Sequence, residues 1–315
     1  MQSSFDIVHL FNISTIKLFF LPHQNAMRNI TEDNLVDAVL ERLNCDSERD
    51  HEILSKFIKH IHAFVKDLEP TEEEWSKAIN FLTRTGQACN DKRQEFILLS
   101  DVLGVSMLVD AINHRNKKDV TETTVTGPFH TAAMNFEMGA NIARGDEGKR
   151  GEHTIVRGKI LDENNQPVSN ATIDVWQSDD IGSYDIQDTI QPEMNLRGVF
   201  KTDETGTFWF KTIKPAAYSV PTDGPVGELL RAAGRQPMRP AHIHFWIKAD
   251  GFQQLITHLF VAGDEHLDSD AVFGVKESLI LDFKLVDSKE DADKWQVKSP
   301  YYEVVYNFKL AKEVA

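Results

Sequence analysis

Two copies of the tripeptide His-Ile-His have a spacing that could bind a metal ion. The first copy, His60 and His62, lies in a stretch whose apolar residues recur with helical periodicity. Because residues two apart in a helix diverge, these imidazoles cannot share an ion. The second copy, His242 and His244, lies in a strand-like stretch, where residues two apart share a face. The second copy is therefore the candidate site, although two polar residues on a half-solvated strand would give the same pattern.

Two of the five tyrosines lie in loops that precede this strand. Tyr184 follows a glycine-containing loop, and Tyr218 lies in a proline-rich segment that leads to the strand. Each tyrosine alone is more typical of a hydrogen-bonded structural residue. Beside two imidazoles, however, two phenolates would complete a set of two nitrogen and two oxygen donors. Anionic oxygen donors favour ferric iron over zinc or copper(I), so the residues raise the hypothesis of a ferric site.

The order of Tyr184, Tyr218 and the Arg-Pro-Ala-His-Ile-His segment that starts at Arg239 resembles the motif of the intradiol ring-cleavage dioxygenases. These are ferric enzymes that open catechol-type rings. The resemblance implies one Fe(III) per subunit, with Tyr218 and His244 as axial ligands and Tyr184 and His242 as equatorial ligands. A hydroxide would complete the coordination, and Arg239 would lean over the bound ring.

Three segments resemble the hydroxyquinol-cleaving subgroup of that family, residues 98–115, 121–130 and 267–275. His258 stands where catechol-cleaving relatives typically carry glutamine. The implied reaction inserts both atoms of O2 into benzene-1,2,4-triol and gives 3-hydroxy-cis,cis-muconate or its tautomer maleylacetate. A catechol 1,2-dioxygenase, which gives cis,cis-muconate, stays the alternative.

The same resemblance implies a substrate pocket built from several parts of the chain. Its residues would be Leu98, Asp101, Val125, Gly127, Pro128, Phe129, Val220, Pro221, Arg239 and Val272. Asp101 interrupts an otherwise apolar helix face, which costs free energy unless the carboxylate is paired or functional. We expect Asp101 to meet the third hydroxyl of the substrate, and a helix-surface carboxylate is the alternative.

Tyr218 and Arg239 are the expected catalytic residues. The substrate would displace Tyr218 and the hydroxide, and both leaving bases would accept its protons. Arg239 is cationic at all accessible pH values, so it can stabilise the charge that develops on the ring. A salt bridge from Arg239 to one of the many carboxylates is the alternative role.

Two other classes of protein also fit parts of the sequence. The alternating stretches 156–176 and 200–210 resemble a transthyretin-like β-sandwich, which is a binding module without metal. Such a module has no need of two tyrosines and two histidines in this order. A zinc hydrolase that uses His242 and His244 is the weaker alternative, because no HExxH arrangement supplies a glutamate base.

Periodicity predicts the elements that must position these residues. Residues 31–115 have the pattern of helices, and the later chain alternates apolar and polar residues in short runs between turns. We therefore predict an α+β fold. A helical linker and dimerisation domain, residues 27–128, would precede an antiparallel β-sandwich catalytic domain, residues 129–315, that binds the iron. Residues 1–26 would form an extension of unknown order.

Composition limits the partners of the protein. A net charge of −15 opposes binding to nucleic acid, whose phosphates it would repel. Cys45 and Cys89 form no disulfide framework, which predicts a reducing, cytoplasmic location. Polar residues interrupt the apolar run near the N-terminus, so no membrane partner is expected. The expected partners are a small aromatic diol or triol and O2. The family resemblance further implies a homodimer joined through the helical domain, and it leaves open whether a lipid is held there.

Overall fold

The structure is a computed structural model that describes residues 28–91, 93–115 and 119–313. These residues fall into two compact units that divide between Asn80 and Phe81. The extension predicted over residues 1–26 lies outside the described residues. The predicted boundary between the helical domain and the catalytic domain, at residues 128 and 129, stays a prediction. None of the helices in the described part of the chain has both the length and the apolar character to cross a membrane.

Eight α-helices lie in the described residues. They are α1 (Leu35–Leu40), α2 (Glu48–Leu68), α3 (Glu72–Gln87), α4 (Glu95–Val102), α5 (Val105–His114), α6 (Glu147–Arg150), α7 (Pro225–Ala232) and α8 (Lys289–Trp295). The longest, α2, begins after Ser47, whose hydroxyl accepts a hydrogen bond from the Asp50 backbone N–H at 3.0 Å. It ends where Glu69 adopts a left-handed conformation. His60 and His62 lie within this helix, as their periodicity predicts.

The described strands form two five-stranded sheets and one two-stranded ribbon. They are β1 (His153–Asp162), β2 (Thr172–Gln177), β3 (Arg197–Lys201), β4 (Thr207–Ile213), β5 (Tyr218–Ser219), β6 (Met238–Arg239), β7 (His242–Lys248), β8 (Leu255–Val261), β9 (Ile280–Leu281), β10 (Lys284–Val286), β11 (Tyr301–Val305) and β12 (Phe308–Leu310). The first sheet has the order β10-β11-β1-β12, with β4 also paired to β1, and the second has the order β3-β2-β7-β8-β9. Most pairs are antiparallel, but β1 pairs in parallel with β11 and β12, and β8 with β9. The predicted combination of helices with a β-sandwich is confirmed.

One apolar core joins the two sheets. Phe245 of β7 lies at its centre, with ring centroids 6.4 Å from those of Phe208 and Phe210 on β4 and 4.8 Å from that of Phe308 on β12. The residues two positions before and after Phe245 are fully buried in the same core. Because side chains alternate along a strand, this packing turns the histidines of β7 to the opposite face of the second sheet.

That opposite face carries a row of side chains in register across four strands. His244 of β7 pairs with Trp176 of β2 on one side and with His258 of β8 on the other. Trp176 in turn pairs with Arg197 of β3. Residues directly opposite each other in adjacent strands lie close enough for their side chains to touch. The sheet register therefore brings together residues that are far apart in the sequence.

Gly158 lies where β1 exchanges one parallel partner for another. Residues up to Arg157 pair with β11, and residues from Ile160 pair with β12. Between the two pairings, the Tyr306 backbone N–H donates a hydrogen bond to the Arg157 carbonyl oxygen at 3.1 Å. A Cβ atom on residue 158 would lie 1.7 Å from the Tyr306 carbonyl oxygen. This contact is with the backbone, so a side chain there would force the strands apart.

We expect Gly158→Ala to lower the free energy of unfolding by about 1–3 kcal/mol, the usual effect of overpacking a tight site. Urea unfolding followed by circular dichroism measures the change. Gly86→Ala in α3 is the matched control, because its Cβ atom would make an ordinary 3.5 Å contact with Phe96. Alanine is also favoured over glycine inside a helix. Equal unfolding midpoints for the two variants would contradict the expected overlap with Tyr306.

Candidate metal centre

His242 and His244 supply two converging nitrogen atoms. Both residues are 1% exposed, and their Nε2 atoms lie 3.0 Å apart. His242 Nδ1 lies 2.6 Å from the Pro240 carbonyl oxygen, so Nδ1 carries the proton and Nε2 presents its lone pair. Burial lowers the pKa of His242 to about 3 and the pKa of His244 well below its ordinary value. Both imidazoles are therefore neutral, as metal binding requires.

A loop and the short strand β5 bring the predicted ligands Tyr184 and Tyr218 to these imidazoles. The loop before Tyr184 closes around the Asp179 carboxylate, whose Oδ1 accepts two backbone N–H hydrogen bonds at 3.0 and 2.8 Å. Gly182 in this loop has a φ of 88°, and a Cβ atom there would lie 2.5 Å from the Ala217 carbonyl oxygen. Glycine thus allows the Tyr184 loop to pack directly on the segment that carries Tyr218.

The four predicted ligand side chains form one buried cluster. Tyr184 and Tyr218 are 1% and 3% exposed, and their ring centroids lie 5.1 Å apart at an angle of 82°. The Tyr218 ring centroid is 5.6 Å from that of His242, and the Tyr184 ring centroid is 6.4 Å from that of His244. The rings of two phenols and two imidazoles therefore lie together away from water.

The chemistry of this donor set fits ferric iron. The Tyr184 phenol oxygen is buried and makes no hydrogen bond of ordinary geometry with the described residues. Burial raises the pKa of Tyr184 well above its ordinary value and also raises the pKa of Tyr218. A phenolate at this depth therefore needs an adjacent cation. A trivalent ion would supply that charge and accept the lone pairs of His242 and His244.

A third buried imidazole, that of His258, lies beside the two histidines of β7. Its ring centroid is 4.6 Å from that of His242 and 4.2 Å from that of His244. Among the described residues, these three form the one group of three or more histidine, cysteine or acidic side chains whose donor atoms could share an ion. Neither His258 ring nitrogen makes a hydrogen bond of ordinary geometry. In the sequence, His258 is notable only because catechol-cleaving relatives typically carry glutamine there. Its position opposite His244 in the sheet is what places it at the site.

Arg239 extends over the same cluster. Its Nη1 lies 3.3 Å from Tyr218 Oη and 3.4 Å from His242 Nε2, and β6 pairs with β5 so that Arg239 lies opposite Tyr218. Its Nε donates a hydrogen bond to Asp270 Oδ1 at 3.0 Å, and both side chains are 2% exposed. Burial lowers the pKa of Arg239, but the charges and hydrogen bonds of Asp270 and Tyr218 together outweigh burial and raise it. Arg239 therefore forms the salt bridge that was its alternative role, and it also lies at the site. No sequence pattern singles out Asp270, which is 31 residues away.

Asp101 is buried in α4 and only 2% exposed, so the prediction of a helix-surface carboxylate as its alternative role is wrong. Burial raises its pKa to about 6, although a hydrogen bond with Ser106 and the charge of Arg239 oppose the shift. Keeping this carboxylate ionised therefore costs the folded protein free energy. Groups held at such a cost cluster at functional sites.

A cavity of about 470 Å³ adjoins the aromatic part of the cluster. Four predicted pocket residues border it, namely Leu98, Pro128, Phe129 and Pro221. The Phe129 ring centroid is 4.6 Å from that of Tyr184, which links the cavity to the donor set.

The other predicted pocket residues do not border this cavity, namely Asp101, Val125, Gly127, Val220, Arg239 and Val272. Three of them, Val125, Val220 and Val272, pack with Leu98 in one apolar cluster. Gly127 lies against His244, whose Cε1 would be 3.4 Å from a Cβ atom there.

Comparison with known proteins assigns the family. The family model described as "Dioxygenase" matches residues 125–312, and the model described as "Catechol dioxygenase N terminus" matches residues 47–121. The chain belongs to the intradiol ring-cleavage dioxygenase family. It is therefore an enzyme of an iron-dependent family, and the transthyretin-like and zinc-hydrolase alternatives are wrong.

Two similar relatives and one similar solved structure are named for hydroxyquinol or its chlorinated form. The hydroxyquinol 1,2-dioxygenase of Rhizobium sp. (strain MTP-10005) is 51% identical over 285 residues, which cover 89% of this chain and 96% of the relative. The 6-chlorohydroxyquinol 1,2-dioxygenase of Cupriavidus pinatubonensis is 48% identical, over 82% of this chain and 93% of the relative. The crystal structure of hydroxyquinol 1,2-dioxygenase from Pseudomonas putida DLL-E4 has a TM-score of 0.80 and 47% identity, and the match covers 90% of this chain and 97% of that one.

We expect Asp101→Asn to stabilise the protein in a pH-dependent way. The pKa of Asp101 is raised from 3.8 to about 6 on folding, so the folded state binds the proton more tightly. Below pH 4 Asp101 is protonated in both states and costs no stability. As the pH rises through 6 the folded protein loses this advantage, and above pH 6 the ionised carboxylate lowers the free energy of unfolding by about 3 kcal/mol. Urea unfolding at pH 8 and pH 4.5 measures the difference. A gain that is large at pH 8 and small at pH 4.5 is expected, and an equal gain at both would contradict it.

Proposed function

We propose that this enzyme binds one Fe(III) ion per subunit and cleaves hydroxyquinol, benzene-1,2,4-triol, between its adjacent hydroxyl-bearing carbons. The observation that carries the proposal is the burial of Tyr184, Tyr218, His242 and His244 in one cluster. Similarity to relatives named for hydroxyquinol supports this substrate over catechol. The product is 3-hydroxy-cis,cis-muconate or its tautomer maleylacetate.

The two tyrosines have different surroundings, which supports different roles. When bound, ferric iron would activate the diol toward O2, a reaction that is slow for the free ring. Tyr218 Oη lies 3.3 Å from Arg239 Nη1, so this phenol has a hydrogen-bond donor that would hold it when it is not bound to a metal. Tyr184 Oη has no such hydrogen bond. We therefore assign Tyr218 as the residue that would accept a substrate proton, and Tyr184 as the ligand that would stay bound to the metal.

The histidines are held so that they do not exchange. His242 Nδ1 is bound to the Pro240 carbonyl oxygen at 2.6 Å, and the His244 ring stacks on Trp176 with a centroid distance of 4.5 Å and an angle of 12°. Both contacts fix the direction in which Nε2 points. The histidines would thus hold the metal in a fixed position.

Arg239 and Asp101 act on the substrate. Asp270 holds the Arg239 guanidinium in place, so a fixed positive charge faces the ring as negative charge develops on it. Asp101 offers a buried hydrogen-bond acceptor for the third hydroxyl of hydroxyquinol, a group that catechol lacks. A site with a buried polar group binds poorly any substrate that leaves this group unpaired.

The helices support a homodimer as part of this proposal. Helix α2 in the first compact unit has no buried residue, and Phe57, Phe64 and Leu68 are 60%, 63% and 57% exposed. Apolar groups exposed together on one helix face indicate a contact surface. A lipid chain on the same face is the alternative occupant, which mass analysis of an organic extract would detect. Free Cys45 and Cys89 fit the cytoplasmic location that we propose.

Iron analysis, visible absorption and O2 uptake test the main proposal together. Tyrosinate bound to ferric iron gives a broad visible band, so the purified enzyme should be coloured and hold one iron per subunit. O2 uptake should match substrate consumption one to one, with a higher kcat/KM for hydroxyquinol than for catechol. A colourless, iron-free enzyme or a preference for catechol would contradict the proposal.

Asp101→Ala supplies the control for substrate choice in the same assay. Loss of a hydrogen bond to a charged group should lower kcat/KM for hydroxyquinol about tenfold or more. The loss on catechol should be smaller, because catechol makes no such contact. Equal losses on the two substrates would remove Asp101 from substrate recognition and leave the iron chemistry untouched.

We expect Phe64→Glu to weaken the dimer, because it places a charge in an apolar contact. Sedimentation velocity over a range of protein concentrations measures the change. Lys59→Glu on α2 is the control, since residue 59 lies on the side of the helix opposite residue 64 and is also exposed. A wild-type monomer, or equal weakening by both variants, would count against an interface on this face.

A further inference from the structure

A buried ion pair lies behind the predicted ligand Tyr184. Arg197 Nε donates a hydrogen bond to Asp185 Oδ1 at 2.7 Å, and the side chains of this arginine and aspartate are 1% and 4% exposed. Asp185 directly follows Tyr184, so the pair ties the loop that carries the phenol to strand β3. Removing two charges from water costs several kcal/mol, which is often not recovered as stability. The position of the pair therefore calls for a role beyond stability.

Arg197 borders the donor set on two sides. Its guanidinium carbon lies 6.0 Å from the centroid of the Tyr184 ring. In the sheet it is paired with Trp176, whose indole stacks on the His244 ring. The Nη1 atom of Arg197 is buried without a hydrogen bond among the described residues. Asp185 thus contacts one side of the guanidinium and leaves its positive charge close to the Tyr184 ring.

We propose that Arg197 and Asp185 are positioning residues for Tyr184. The ion pair fixes the loop so that the phenol faces the two imidazoles, and the guanidinium charge tunes the phenolate as a metal ligand. This inference rests on the proposed ferric site. It adds a pair of residues that touch neither the metal nor the substrate and that act through Tyr184.

The visible band of the iron-loaded enzyme reports this effect separately from stability. A positive charge near a phenolate lowers the energy of its electrons, so more energy is needed to transfer one to the metal. Arg197→Gln should therefore shift the Tyr184 band to longer wavelength. Asp185→Asn keeps the cation and removes its counter-charge, so it should shift the band to shorter wavelength. Arg197→Lys keeps the charge but loses the forked contact, and it should broaden the band with a smaller shift.

The Tyr218→Phe background isolates the band of Tyr184. The shifts should persist in that background and vanish in Tyr184→Phe, which retains only the band of Tyr218. Arg157→Gln is the matched control, because Arg157 forms a 2.8 Å ion pair with Glu303 between β1 and β11, away from the site face.

The spectra of these variants decide between the inference and a purely structural role for the ion pair. Opposite shifts for Arg197→Gln and Asp185→Asn, absent from Arg157→Gln, support it. Spectra per iron atom that match the wild type, with only a lower melting temperature, make the pair structural and overturn the inference. If Arg197→Gln does not fold, Asp185→Asn and Arg197→Lys decide alone. A wild type without iron or colour refutes the proposed function itself, which is a separate result.

Discussion

Burial of two phenols and two imidazoles in one dry cluster is the constraint on which the rest of the structure depends. Polar groups taken out of water need partners, and the partners within the protein are incomplete. The Tyr184 oxygen and the His244 Nδ1 atom make no hydrogen bond of ordinary geometry with the described residues, and the Nε2 atoms of His242 and His244 face each other at 3.0 Å. A bound cation resolves this arrangement, because phenolates and neutral imidazoles both bind it through lone pairs.

The fold meets this constraint because the two faces of the second sheet have different roles. Phe245 and its alternate neighbours bury the inner face against the first sheet, and this packing holds the strand that presents the histidines on the other face. The tyrosines cannot come from that sheet, since its positions beside His244 are taken by Trp176 and His258. They come from the Tyr184 loop and from strand β5, which meet where Gly182 packs on the segment before Tyr218. The sheet, the Tyr184 loop and the short strand β5 thus share the donor set, so the tyrosines and the histidines are held by different parts of the fold.

Local pattern was enough to predict half of the site, because strand alternation is a property of neighbouring residues. It separates His242 and His244 from the helical copy, and the ordered tyrosines complete the motif. Local pattern does not predict the charged partners. Asp270 contacts Arg239 across 31 residues of sequence, and β1 contacts β11 across 146. Such contacts depend on which strands become neighbours, and no short-range periodicity encodes that choice. The apolar surroundings of Asp101 indicated a costly carboxylate, but its burial depends on packing between α4 and other elements. Similarly, His258 becomes part of the cluster only through the register of β8 on β7.

The most direct test of the account is anomalous X-ray diffraction at the iron absorption edge from crystals of the iron-loaded enzyme. We predict one strong peak per subunit, within bonding distance of the phenol oxygens of Tyr184 and Tyr218 and the Nε2 atoms of His242 and His244. A peak bound by His258 in place of a tyrosine, or no peak among these four side chains, would contradict the assignment of the metal centre.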